Sequence, residues 1–268
     1  MQQVAILGIP YDAMSSHLRG PAEGPKAIRE QLHGGSANYF TEQGLDLNTI
    51  SDQWTDLGNL EFDTEKPIPV FEKITAAVDK ELAAGRKVLS LGGDHSIAYP
   101  IIRAYAKHYE SLNILQIDAH ADLYHDFEGN PYSHACPFAR IMEQNLASHL
   151  TQVGIRTLNT HQREQALKFG VKIIEMKDFK NGQSLNLDGP LYISIDLDGF
   201  DPAFAPGVSH HEPGGLSTRA VLNLLQQIQV PIVGIDIVEL NPTRDWHGMT
   251  AMLAAKLLRE SIGLLLKP

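Results

Sequence analysis

"LNILQIDAHAD", residues 112–122, is a mainly apolar run that ends in two carboxylates flanking an imidazole. A run this short, without polar alternation, suits a strand covered on both faces, which means a parallel sheet. In an extended segment positions i, i+2 and i+4 share a face, so Asp118, His120 and Asp122 are expected to converge. Similar runs recur along the chain: "QVAILGI" (3–9), "KVLSLGG" (87–93), "LTQVGI" (150–155), "VKIIEM" (171–176), "LYISIDLD" (191–198) and "PIVGIDIVEL" (231–240). Between them, helical periodicity marks residues 69–85, 96–109, 217–229 and 249–266, with Gly85 placed as a C-terminal cap and Ser217 or Thr218 opening the third. Strand and helix alternate, which is the α/β signature. Periodicity alone leaves a doubly wound sheet and an eight-fold barrel both open, and in either the sites gather at the carboxyl ends of strands.

Two further strand ends carry unusual residues. "LSLGGDHS" (89–96) ends in Asp94 and His95, and "YISIDLDGFDP" (192–202) in Asp196, Asp198 and Asp201. Acids crowded at neighbouring strand ends repel one another unless cations sit among them, because a buried carboxylate is costly without a partner. Two divalent ions bring about four positive charges and would neutralise such a cluster. An oxygen-rich set with few histidines favours Mn²⁺ over Zn²⁺, although Co, Ni or Zn would fit the same donors. A metal pair of this kind lowers the pKa of water from 15.7 toward ~7 and yields hydroxide at neutral pH.

Composition agrees with this reading. The 268 residues are 43% hydrophobic, enough for one large core, and no low-complexity segment, repeat or linker divides them, so one domain over 1–268 is expected. A formal net charge of -10 argues against nucleic acid, which requires a basic face, and suits cationic partners. Cys136 is the one cysteine, which excludes an internal disulfide and reads as a small buried hydrophobe. The start, "MQQVAILGIPYDAM", lacks a basic segment before its short apolar stretch, and no run approaches a membrane span; the expectation is a cytoplasmic protein with no membrane or nucleic-acid partner. His125 beside Asp126 reads as solvated surface, and Met249 with Met252 as core at helical spacing.

With these motifs in hand, the chain resembles the ureohydrolase family of arginases, agmatinases and formimidoylglutamases nearly end to end. Beyond the metal motifs, the resemblance is carried by "SSHLRGPAEGPKAIRE" (15–30), "EGNPYSHACPFARI" (128–141), "FAPGVSHHEPGGLSTR" (204–219), "GIDIVELNP" (234–242) and "GMTAMLAAKLLRE" (248–260). Several of these look closest to the plant-type arginase branch. The resemblance implies a three-layer α/β/α sandwich on a roughly eight-stranded, mainly parallel sheet, two Mn²⁺ ions, and a homo-oligomer, trimer or hexamer. It implies His95, Asp118, His120, Asp122, Asp196 and Asp198 as metal ligands, with Asp118, Asp122 and Asp196 as the bridging carboxylates. Asp94 and Asp201 then orient their neighbours.

The implied activity is hydrolysis of a small guanidino substrate with release of urea, L-arginine to L-ornithine first and agmatine to putrescine as the alternative. A related guanidino or formimino acid is also open, and a non-catalytic guanidino-binding protein and an arginase-fold deacetylase are the remote alternatives. His134 matches the family's loop histidine and would move the proton that the leaving amine needs. Glu239, at the end of a buried run, would hold the planar guanidinium. Asn130 would touch the substrate's distal end or serve only the turn into Pro131. Arg19, Ser133 and His211 are the other candidates for that end, and His210 and His211 either line the pocket mouth or cover a loop.

Overall fold

The computed structural model describes residues 3–267. Eight strands pair in parallel throughout: β1 Val4–Ile9, β2 Trp54–Asn59, β3 Lys87–Gly92, β4 Asn113–Ile117, β5 His149–Ile155, β6 Lys172–Glu175, β7 Leu191–Asp196 and β8 Ile232–Val238. Their order is β2-β1-β3-β8-β7-β4-β5-β6. The strands at the two ends stay unpaired on one side, so the sheet is open and the barrel is ruled out.

The apolar runs are continuous because both faces are covered. Leu115, Ile117, Ile193 and Ile195 pack with helices α1 (Gly24–His33), α6 (Thr218–Gln226) and α7 (Met249–Leu265). Ile114 and Tyr192, from the same two strands, face helices α2 (Pro67–Ala83), α3 (Ala98–Tyr105), α4 (Pro137–Glu143) and α5 (Thr160–Phe169). The three-layer α/β/α sandwich therefore stands.

Seven strands fall on the apolar runs, and β2 falls on none: "WTDLGN" is a half-exposed edge strand that owes its place to pairing with β1. Helices α1, α4 and α5 also lie outside the periodic segments. Helix α5, "THQREQALKF", is mostly polar and only lightly buried, so it carries little amphipathic signal. Ser217 does cap α6, accepting from Ala220 N. Met249 and Met252 correct an expectation: at the first residue of α7 Met249 is 45% exposed and Met252 is only half-buried, because the helix turns Thr250, Ala251 and Leu253 inward instead. Among the described residues no helix is long and apolar enough to cross a membrane.

The topology places the site. From β3 the chain leaves past β8 and β7 to build β4, so β3 and β4 flank the crevice at the sheet's centre. Crevices of this kind, outside the carboxyl ends of strands, are where open α/β sheets bind ligands.

Candidate metal centre

After β3, Asp94 caps the short helical turn His95–Ile97 by accepting from Ser96 N at 3.1 Å, while its other oxygen accepts from Met14 N at 2.9 Å. That cap turns His95 inward, 1% exposed. From the ends of β4 and β7, Asp118 and Asp196 rise beside it. The turn Leu197–Gly199 that follows β7 is capped by Asp196, which accepts from Asp198 N at 2.7 Å. Two glycines let the three strand ends close up around Asp118. A Cβ on Gly199 would sit 2.9 Å from Asp118 N, and one on Gly154, at φ +99°, would sit 2.7 Å from Asp118 O.

The acids converge by another route than simple alternation. Strand β4 ends at Ile117, and Asp118 folds the chain back by accepting from His120 N at 2.6 Å. Asp122 then adopts the left-handed region at φ 51°, as does Glu239 at φ 66°. Such conformations cost non-glycine residues energy and persist only where packing enforces them.

His95 Nδ1 lies 3.0 Å from Asp118 Oδ2, 3.1 Å from Asp122 Oδ2 and 3.1 Å from Asp196 Oδ2, yet it is buried without a hydrogen-bond partner. Its other nitrogen, Nε2, meets Ser194 Oγ at 2.8 Å. Because the Ser194 hydroxyl donates to Asp236 Oδ1 (2.7 Å), Nε2 must carry the ring proton, and Nδ1 presents a lone pair to three acids. A small octahedral cation with donors at about 2.1 Å spaces adjacent donors about 3 Å apart, which is the spacing found here. A dication fits this cradle. Burial opposes charge on His95, but the three acids outweigh it and would otherwise hold the imidazole protonated well above its usual range. One proton on Nδ1 could satisfy only one of them.

His120 Nδ1 forms the second focus, 3.0 Å from Asp198 Oδ2 and 3.6 Å from Asp118 Oδ1. Two groups thus have donor atoms close enough for one ion each, His95 with Asp118 and Asp122, and Asp118 with His120 and Asp198; Asp118 is common to both. Asp196 faces the first group. Burial and the neighbouring Asp198 and Asp118 charges push its carboxyl well above the ordinary range, and burial with Asp118 lifts Asp122 to about 6. The cluster is short of positive charge.

A cleft of about 200 Å³ opens over these groups, with His134, Glu239 and His210 on its wall. His134 Nδ1 meets Glu239 Oε1 at 2.7 Å, and Oε1 also accepts from His95 N at 2.9 Å. Ser16 closes on the far side of the ring: its amide donates to Nε2 at 3.1 Å and its Oγ lies 2.8 Å from the same atom, so Nε2 accepts and the ring proton sits on Nδ1, against Glu239. Burial opposes charge on His134, but the Glu239 carboxylate outweighs it and lifts the imidazole to about 9.

Of the residues proposed for the substrate's far end, Arg19, Asn130, Ser133 and His211 are absent from the wall, where Ser16, Tyr124, Phe127, Thr157 and Gln162 stand. Arg19 pairs with Asp12 and Glu65. Asn130 accepts from Tyr132 N at 2.9 Å and so serves the turn into Pro131, and His211 Nε2 faces Pro206 O. Asp201 touches no member of the cluster; it accepts from the amides of Ala203, Gly214 and Gly215 and holds a loop. Cys136 is buried, and burial first and then Asp122 push its thiol up to about 12.

Arg156 has no counterpart among the expected residues. Its guanidinium donates to the carbonyls of Asp198 (2.8 Å), Gly199 (3.2 Å), Phe200 (3.1 Å) and Glu212 (2.6 Å), stapling the turn that carries Asp198 to the end of β5. Its only trace in the sequence is a cation directly after the "LTQVGI" run.

Comparison with known proteins gives a consistent result. The family model "Arginase family" matches residues 2–263. "Arginase 1, mitochondrial" of Arabidopsis thaliana is 47% identical, the match covering 96% of this chain and 79% of that one. "N(1)-aminopropylagmatine ureohydrolase" of Thermus thermophilus is 34% identical over 98% of this chain and 90% of its own. The solved "Arginase from Medicago truncatula" superposes with a TM-score of 0.93 at 42% identity, covering 98% of this chain and 87% of that one.

The plant names correct one expectation. Relatives named mitochondrial, or chloroplastic/mitochondrial, share this domain, so the cytoplasmic location does not stand. Compartment is set by receptor-read addresses and not by the chemistry of a folded domain. Because the match from residue 2 to residue 263 takes in every strand of the sheet and each acid on its carboxyl rim, the chain belongs to the arginase family.

Proposed function

We infer that the protein is a binuclear metal hydrolase that releases urea from a guanidino substrate, L-arginine first, with L-ornithine as the second product. The observation that carries this reading is Asp118, which offers one oxygen to each of two donor groups beneath a cleft walled by His134 and Glu239. Plant relatives at 45–47% identity are named arginases, which favours arginine over other guanidines. The reading treats residues 1–268 as one catalytic domain. Manganese follows from the oxygen-rich donor set, and assembly into trimers or hexamers from the family resemblance.

When bound, the two ions supply a water acidic enough to act as nucleophile near neutral pH and offset the charge of the acids. The chain's own residues do the rest. Glu239, fixed by His134 and by the His95 amide, offers a buried carboxylate to the guanidinium and lines it up for attack. His134, made more basic by Glu239, stands on the same wall, placed to pass a proton to the departing amine. With His95, Asp118, His120, Asp122, Asp196, Asp198, His134 and Glu239 all assembled, a binding protein without turnover is disfavoured.

One observation keeps agmatine and its derivatives as the second reading: the cleft wall carries no lysine or arginine to pair with an α-carboxylate. The test is urea release from arginine, agmatine and guanidinobutyrate, and ammonia or formamide release from formimidoylglutamate, by protein reloaded with Mn²⁺. Arginine should give the highest kcat/KM. A preference for agmatine would replace the reading, and no turnover of any of them with two ions bound would end it. Asp122→Ala or Asp198→Ala should lose turnover and metal together; full activity in Asp198→Ala would overturn the ligand assignment.

A further inference from the structure

One pleat below the acids, a polar row crosses five adjacent strands in register. Ser90 of β3 pairs with Asp236 of β8, Asp236 with Ser194 of β7, Ser194 with Gln116 of β4, and Gln116 with Gln152 of β5. All five are 0% exposed. Polar side chains in the middle of a doubly covered sheet cost stability unless they are paired, so their partners show what they are for.

On the β4–β5 side the partners leave one arrangement. Gln152 Nε2 donates to the carbonyl of Ala121 at 2.6 Å, an atom that can only accept, so the amide cannot be reversed. Its second proton goes to Gln116 Oε1 at 2.5 Å. With its carbonyl so engaged, Gln116 must turn its NH₂ toward Asp118 Oδ2 at 2.7 Å and His120 O at 3.2 Å, both acceptors. Gln152 Oε1 is left buried with no partner. A buried acceptor without a partner costs stability, a cost that packing alone does not justify.

Asp118 Oδ2 is the oxygen 3.0 Å from His95 Nδ1, whereas Oδ1 faces His120. We propose that Gln116, locked by Gln152, is a positioning residue that fixes this oxygen of Asp118 and thereby sets the affinity of the His95-side metal site. Deleting the amide frees Oδ2 in particular, because Oδ1, the oxygen facing the His120 side, stays held by the His120 amide at 2.6 Å. The inference rests on the two-metal reading, and no part of it requires Gln116 to touch substrate.

The test is calorimetric titration of metal-stripped protein with Mn²⁺, together with Co²⁺ absorption as a signature of the ligand field. Gln116→Met keeps the volume and loses the amide. One of the two affinities should fall about 10–100-fold while the other changes little. Gln152→Met should weaken the same site by less, and the double variant should bind no worse than Gln116→Met, because one residue acts through the other. Melting of the metal-free proteins separates this from general damage. If Gln116→Met does not fold, Gln152→Met, which leaves β4 intact, carries the test.

Unchanged affinities and Co²⁺ spectra, or equal weakening of both sites alongside a lower metal-free melting temperature, would overturn the proposal. A parent protein that binds no dication would instead overturn the metal reading itself.

Discussion

Glu239 is the residue on which the most depends, since one oxygen serves both the His134 ring and the His95 amide. Replacing it with glutamine removes the charge that raises His134 and keeps the shape. Glu239→Gln should therefore retain both metals, raise KM for the guanidino substrate by one to two orders of magnitude or so, and lower the alkaline limit of the rate. In the parent that limit is set by where His134 gives up its proton, near pH 9 in the metal-free chain and lower once two dications sit beside it. A metal analysis and a pH–rate profile check both, and an unmoved alkaline limb would dissociate His134 from proton delivery. The same pair has a stability consequence. Because the folded His134 pKa is raised above the ordinary 6.5, its contribution is full below that value and is lost as pH climbs through about 9. Glu239 and Asp122, both at positive φ, show that the site stores backbone strain at the residues it uses.

Among the elements, the turn after β7 is the least self-sufficient. Three residues long, it carries Asp198 and relies on Arg156 from the end of β5 to hold its carbonyls. Arg156→Met keeps the apolar stem and loses the staple, so metal affinity should drop while the far edges of the sheet stay protected from hydrogen exchange. Uniform loss of protection would mean that Arg156 supports the whole fold. Gly154→Ala tests the close approach from the other side. A methyl at φ +99° and 2.7 Å from Asp118 O should cost about 1–3 kcal/mol and show in both thermal melting and metal content. A fully loaded, equally stable Gly154→Ala protein would argue that β4 and β5 can separate freely.

For the molecule as a whole, the acids at the sheet's centre are a liability that metal removes. Burial and like charge raise Asp122 to about 6, above the 3.8 of an unfolded chain. Metal-free protein should therefore lose stability as pH rises from about 4 through 6, where the folded state must surrender a proton it holds tightly. Added Mn²⁺ binds the ionised acids and reverses this, so the rise in melting temperature on metal addition should grow over the same interval. At a metal concentration of 100 Kd the gain is about 2.7 kcal/mol per site. A melting temperature indifferent to Mn²⁺ and to chelator at pH 7 would count against occupied sites.

The sequence by itself determined the class of fold and the identity of the acids. Six buried strands announce themselves as apolar runs because burial on both faces leaves no polar alternation, and an acid at the end of such a run stands out against it, while edge strand β6 shows only through its two isoleucines. Edge strand β2 and helix α5 stayed hidden for the matching reason: each is half-exposed and takes its conformation from what it packs against. Periodicity could not separate sheet from barrel, since strand order is a property of pairing. Spacing also grouped Asp118, His120 and Asp122, which do come together, but by another cause: a backbone turn at Asp118 and a left-handed Asp122 do what strand alternation does not. Only the tertiary structure decided which oxygen faces which histidine, which residues reach the cleft wall, and what Arg156, Ser16 and the glutamine pair touch. Those contacts join residues far apart in the chain, and no local pattern encodes a partner that arrives from another strand.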